Sequence, residues 1–234
     1  MDWIRHDLRF ALRGLRRRPG VSLLAILTLA VGLGVNTVAF SAVNALVFRP
    51  FHVPGADQIG WIFAGPRQDP LAEMPIAAVE ALGRDARTLD AVAAEGRVAL
   101  ALDAHGETRQ VWALAVTPRY FELVPAPIAT GRGLVAADHR PDAIAAVVSE
   151  RFWQRTLGAT TDLTSARLVL NRQPVSVVGV VRDGFQGPGG LFEPDVWIPV
   201  ASRRVLGLSA DLDRADRGWL TVIGRPAEIG RAHV

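Results

Sequence analysis

The chain has no cysteine and no lysine. Without cysteine there is no disulfide framework, no thiolate metal ligand and no thiolate nucleophile. Without lysine, all 26 basic residues are arginine. The phosphate-binding signature GxxxxGK[ST] therefore cannot occur, because its lysine must reach the β- and γ-phosphates. Strong net charge is also lacking: the formal balance is only +3, and much of that excess sits in residues 1–18. The remainder is close to neutral, which argues against a nucleic-acid binder. Arginine alone as the base, with abundant alanine, fits a GC-rich genome rather than a mechanism.

The most informative absence is charge across Val21–Phe48, which also has no proline. A helix of that length reaches about 42 Å, more than the ~30 Å hydrocarbon core of a bilayer. Arg5, Arg9, Arg13, Arg16, Arg17 and Arg18 crowd one side, against Arg49 on the other. Arg-rich short flanks stay in the cytoplasm, so the expectation is one membrane span with the N-terminus inside and the main domain outside. Residues 1–18 read as an amphipathic interfacial helix. Ile4, Leu8, Leu12 and Leu15 share one face, and Arg5, Arg9, Arg13 and Arg16 lie on another. Pro19-Gly20 ends it. A cleavable signal peptide is the competing reading, but the n-region is too long and too patterned for one.

Within the span, Gly34, Thr37, Ser41 and Asn44 recur at spacings of three, four and three, with Gly32 and Asn36 close by. Small and hydrogen-bonding residues on one stripe suit packing against other membrane helices. Outer turns standing in water as a stalk would carry the same residues.

Beyond residue 49, about 180 residues suffice for one sizeable domain or two small ones. The pattern predicts strands over Gly60–Ala64, Val98–Leu102 and Thr108–Val116, the last two as a hairpin. It predicts helices over Ile76–Arg87 and Pro118–Val124, the latter with Thr117 as N-cap. Then come a strand at Ala143–Val148 and a helix Glu150–Leu157 capped by Ser149 and stopped at Gly158. Strands at Arg167–Leu170, Pro174–Val181, Asp195–Val200 and Trp219–Gly224 complete a mixed α+β domain.

Few residues suggest chemistry. Gly187-Pro188-Gly189-Gly190 could cradle a phosphate but lacks a following helix start, and reads as a flexible hairpin turn. Asp211, Asp213 and Asp216 resemble part of a calcium loop without its Gly and terminal Glu. Asp138, His139 and Asp142 share a loop in which neighbours rarely converge on a metal or proton. Ser149 has no GxSxG frame and suits an N-cap. Trp112, Trp153, Trp197 and Trp219 sit in apolar segments and read as core. No catalytic residue, cofactor site or metal site is expected.

DLRFALRGLRRRPG followed by LTLAVGLGVNTVAFSAVNALVFRPF closely resembles the opening of MacB/FtsX-like ABC transporter permeases, above all the acidobacterial duplicated orphan permease branch. TPRYFELV, GRGL, VVSERFWQRTLG, LVLNRQPVSVVGVV and DVWIPV are similar, in order and spacing, to the family's extracytoplasmic MacB-like core domain. Pro125 stands where the family usually has Gly, GRGLVAADH is less acidic, and TTDLTSARLVLN departs from the usual stretch.

The resemblance implies a cytoplasmic interfacial helix over 1–20, a transmembrane helix over 21–48, an extracytoplasmic core domain over 49–227 and a non-native tail over 228–234. That tail, EIGRAHV, reads as a translated sequencing adapter, so the chain is expected to be a fragment lacking later spans. The resemblance also implies mechanical coupling to a cytoplasmic ABC ATPase subunit, a homodimer or duplicated permease half, and a periplasmic partner. ATP hydrolysis would belong to the partner, so this chain would not itself be an enzyme. The alternative is a single-span anchored binding or regulatory domain without transport.

Overall fold

A computed structural model of the chain describes residues 19–47, 59–65, 69, 71–104, 106–140, 144–158, 163, 166–188, 193–215 and 217–227. The chain divides into two units, Met1–Pro50 and Phe51–Val234. The described part of the first is one helix, α1, Pro19–Val47. It starts on a proline, whose fixed φ and missing N–H suit a first helical position. Its Pro19–Val38 stretch has mean hydropathy 2.1 and is, among the described residues, the one helix long and apolar enough to cross a membrane. None of it is buried within the protein. Thr28 and Thr37 donate their hydroxyls back to the carbonyls of Leu24 and Leu33, at 2.9 and 2.8 Å. Neither therefore carries an unsatisfied donor into an apolar surrounding. The expected interfacial helix and its arginines, Arg5 to Arg18, lie outside the described residues.

The second unit runs β1 (Gly60–Ile62), α2 (Ile76–Asp85), β2 (Leu89–Ala104), β3 (Glu107–Val116), α3 (Tyr120–Leu123), β4 (Ile128–Gly131), β5 (Ala145–Ser149), α4 (Glu150–Leu157), β6 (Arg167–Leu170), β7 (Gln173–Val181), β8 (Val196–Pro199), α5 (Ser209–Leu212) and β9 (Thr221–Pro226). The expected α+β class is what forms. The strands order as β1-β9-β2-β3-β8-β5-β7-β4, and β6 pairs with both β2 and β7. Followed from neighbour to neighbour, β2, β3, β8, β5, β7 and β6 return to β2, so six strands close on themselves. Closure removes free edges over the paired stretches. The β3–β8 and β5–β7 pairs are parallel.

Both faces of this sheet are covered. Leu100, Leu102, Val111, Val148, Val177 and Ile198 belong to one buried cluster, which α4 joins through Phe152 and Trp153. Leu114, Val116, Val147 and Trp197 belong to a second, packed by Tyr120 and Leu123 of α3. Strands lying between two cores must be apolar throughout, not alternating. Hence AAVVS of β5 and VWIP of β8 are buried at every position.

Local signals work well around α4. Ser149 Oγ accepts the Phe152 N–H at 3.2 Å, and Gly158 closes the helix at φ 63°. Between β6 and β7 the turn residues Asn171 and Arg172 have φ of 48° and 64°, the left-handed pair that a two-residue hairpin requires. The Asn171 side chain accepts from Ala101 N and donates to Leu206 O, at 2.7 and 2.8 Å.

Two expectations change. The strand expected at Val98–Leu102 belongs to one unbroken 16-residue strand, β2. Its first half is too rich in Ala and Gly to alternate. Those small residues admit close neighbours, and a Cβ on Gly96 would collide with the Trp219 ring. Thr117 does not cap a helix: its hydroxyl accepts the Ala94 N–H at 2.7 Å, and α3 begins later, at Tyr120. The first turn of the expected helix is spent tying the chain to β2.

Candidate functional site

The residues singled out for chemistry are mostly occupied by the fold. Asp138 accepts two hydrogen bonds from Arg132, at 2.5 and 2.9 Å, and one from Val135 N at 2.8 Å. The Arg132 guanidinium holds its carboxyl below the usual range. Asp142 lies outside the described residues. Asp213 accepts from Arg203 Nε at 2.5 Å, with Arg204 at 3.5 Å. Asp211 makes a long pair with Arg217 at 3.9 Å, and Asp216 is outside the described residues. No group of three or more His, Asp or Glu among the described residues is placed to hold a metal ion.

Within the glycine run, Gly187 and Pro188 lie in a turn. Gly187 and Pro188 are buried, and Gly187, at φ 65°, backs onto the Tyr120 hydroxyl. Gly189 and Gly190 lie outside the described residues. Trp153, Trp197 and Trp219 are core residues, whereas Trp112 is 47% exposed. Gly34, Asn36, Thr37 and Ser41 are exposed along α1. Asn44 belongs to the same helix, with its side chain outside the description.

Two features were not legible in the sequence. The first is a cavity of about 460 Å³. Its walls are α2 (Ile76, Val79, Glu80, Gly83), Val92 of β2, the Thr117–Arg119 turn, His139, and the segment after β8 (Val200, Ala201, Arg203). Its charged groups are largely engaged. Arg119 forms a two-pronged bond with Glu122 at 2.8 and 3.1 Å, and Arg203 binds Asp213 and the Val200 carbonyl. Burial pushes His139 down to about 4, against a smaller upward pull from Asp138. The ring is therefore neutral at pH 7, and both of its nitrogens lack a partner among the described residues.

The second feature is a polar pair between β2 and α3. Tyr120 Oη donates to Glu95 Oε2 at 2.5 Å. Desolvation raises Glu95 to about 7, opposed by that hydrogen bond and by the charge of Arg97. Burial, then the neighbouring Glu95, raises Tyr120 well above its ordinary value.

This architecture can be set beside known proteins. A family described as the MacB-like periplasmic core domain matches residues 22–228. The chain belongs to that family. Among solved structures it is similar to the periplasmic region of MacB from Actinobacillus actinomycetemcomitans, at 13% identity and TM-score 0.53, covering 74% of this chain and 76% of that one. It is also similar to the extracellular domain of YknZ, a noncanonic ABC-type transporter from Gram-positive bacteria. That likeness has 14% identity and TM-score 0.50, covering 73% and 83%. At such identities the likeness is one of fold. No curated protein matches the chain.

In this MacB-like core domain the closed strands and their two clusters form the scaffold. The cavity and the Glu95–Tyr120 pair interrupt its close apolar packing. The family is that of the periplasmic domain of ABC-type transporter permeases, here following an apolar helix of membrane-spanning length.

Proposed function

We propose that the chain is the N-terminal part of a MacB/FtsX-like permease of the acidobacterial duplicated orphan permease branch. Residues 1–20 lie on the cytoplasmic face of the membrane, 21–48 span it, and 49–227 stand outside. The observation that carries the reading is the family match itself. It extends from inside α1 to just past β9, so it takes in most of the apolar helix along with the outer domain.

On this reading the chain transmits movement rather than performing chemistry. A cytoplasmic ABC ATPase subunit hydrolyses ATP, α1 tilts, and the outer domain shifts. A proline-free helix interior is stiff enough for that. Gly34, Asn36, Thr37, Ser41 and Asn44 pack against other membrane helices, from a second copy or a duplicated half, and the outer domain meets a periplasmic partner. Arg5, Arg9, Arg13, Arg16, Arg17 and Arg18 hold the first segment among lipid phosphates beside the ATPase.

The absence of cysteine makes a clean topology experiment. Arg172→Cys, in the exposed β6–β7 turn, is treated with a membrane-impermeant maleimide in spheroplasts. Full labelling before lysis is expected. Labelling only after lysis overturns the orientation. Copurification of an ABC ATPase with the membrane-extracted chain tests coupling, and its absence leaves an anchored domain instead.

A further inference from the structure

We propose that the cavity beneath α2 is a binding site for a neutral, mainly apolar small molecule. Its volume of about 460 Å³ lies within the range of small-molecule sites, which are apolar with a few placed polar groups. Ile76, Val79, Val92 and Val200 supply the apolar wall. The two arginines on it are already bound, Arg119 to Glu122 and Arg203 to Asp213, so among the described residues it presents no free cation to demand an anion. His139 also lines the cavity, but its two ring nitrogens have no accessible surface there.

Gly83 supplies a selective way to close the site. It lines the cavity, and a Cβ there would meet nothing within 4 Å. Gly83→Leu should therefore fill the space without displacing its neighbours, while raising helix propensity.

The inference does not depend on transport, and its test does not measure transport. Benzophenone is neutral and apolar, carries one carbonyl acceptor, and inserts into C–H bonds when irradiated. The full chain in lipid nanodiscs is irradiated with increasing benzophenone, and adducts are mapped by mass spectrometry. Labelling along α1 reports probe dissolved in lipid and serves as the internal reference. Saturable adducts are expected on Ile76–Gly83, Val92 and Val200–Ala201. Gly83→Leu should reduce them at least tenfold, with α1 labelling and thermal unfolding maintained. If that variant does not fold, Ala201→Leu fills the same cavity from the opposite segment. Benzoylbenzoate, the same body with a carboxylate, should label more weakly than benzophenone. Cavity labelling that does not saturate, or that survives both filling variants, overturns the site. Stronger labelling by benzoylbenzoate overturns the neutral class in favour of an anion.

Discussion

Glu95 and Tyr120 show how one residue carries a property of the domain. Glu95 stands on β2 with its carboxyl under α3, bonded to Tyr120 at 2.5 Å. Desolvation favours the uncharged acid, which is why its pKa rises from 4.5 to about 7. A pKa raised on folding gives stability that is complete below the unfolded value. It fades as pH climbs through the folded value. Glu95 therefore destabilises the domain progressively from pH 4.5 to beyond 7. His139 acts in the opposite sense: lowered from 6.5 to about 4, it costs stability as pH falls through that window. The two overlap, so the wild-type profile alone does not separate them. Glu95→Gln removes one and leaves the other. Urea midpoints measured across pH 4.5–8 should show the wild type losing on the order of 3 kcal/mol relative to Glu95→Gln. Parallel profiles would mean that the carboxyl is not held in its neutral form.

At the scale of elements, α4 and α1 make contrasting cases. α4 is only eight residues long, too short to stand alone, and rests on its ends and its buried Phe152 and Trp153. Ser149→Ala should cost about 1 kcal/mol, the usual worth of an N-cap, read from chemical denaturation at constant m-value. α1 needs no tertiary support to be helical in lipid, because its own ladder satisfies its backbone. On the proposed reading its polar stripe packs against other membrane helices. Asn36→Leu with Asn44→Leu should weaken self-association in nanodiscs by about 0.6–2 kcal/mol per residue, the range of interhelical hydrogen bonds in membranes. Unchanged association would assign those residues to a wet stalk. The contrast also shows what patterning can and cannot reveal. Ser149 and Gly158 announce α4 because caps are local chemistry. Thr117 misleads, because a strand far off in sequence competes for the same hydroxyl and wins it.

At the scale of the molecule, β2 is the common member. It pairs with β3, β6 and β9 and contributes side chains to both buried clusters. A strand shared in that way leaves neither cluster able to come apart by itself. Trp197 reports one cluster, and Trp153 and Trp219 report the other. Variants retaining only one of these reporters should give superimposable urea transitions for the outer domain. Separated midpoints would reveal two independent folding units.

The sequence by itself determined the membrane-length apolar helix, the α+β class, nearly every strand and the caps of α4. Each depends on residues adjacent in the chain, whose hydropathy and turn chemistry act over a few positions. The closure of six strands, the full length of β2, the burial of Gly187 and Pro188, the Glu95–Tyr120 pair and the cavity were decided by tertiary structure. They bring together residues far apart in the chain, such as Gly96 with Trp219 and Val79 with His139. No local pattern records which distant side chain removes the water, and the burial that shifts Glu95 and His139 comes from that exclusion of water. Those two groups are chemically ordinary in the sequence and become unusual only where the fold desolvates them.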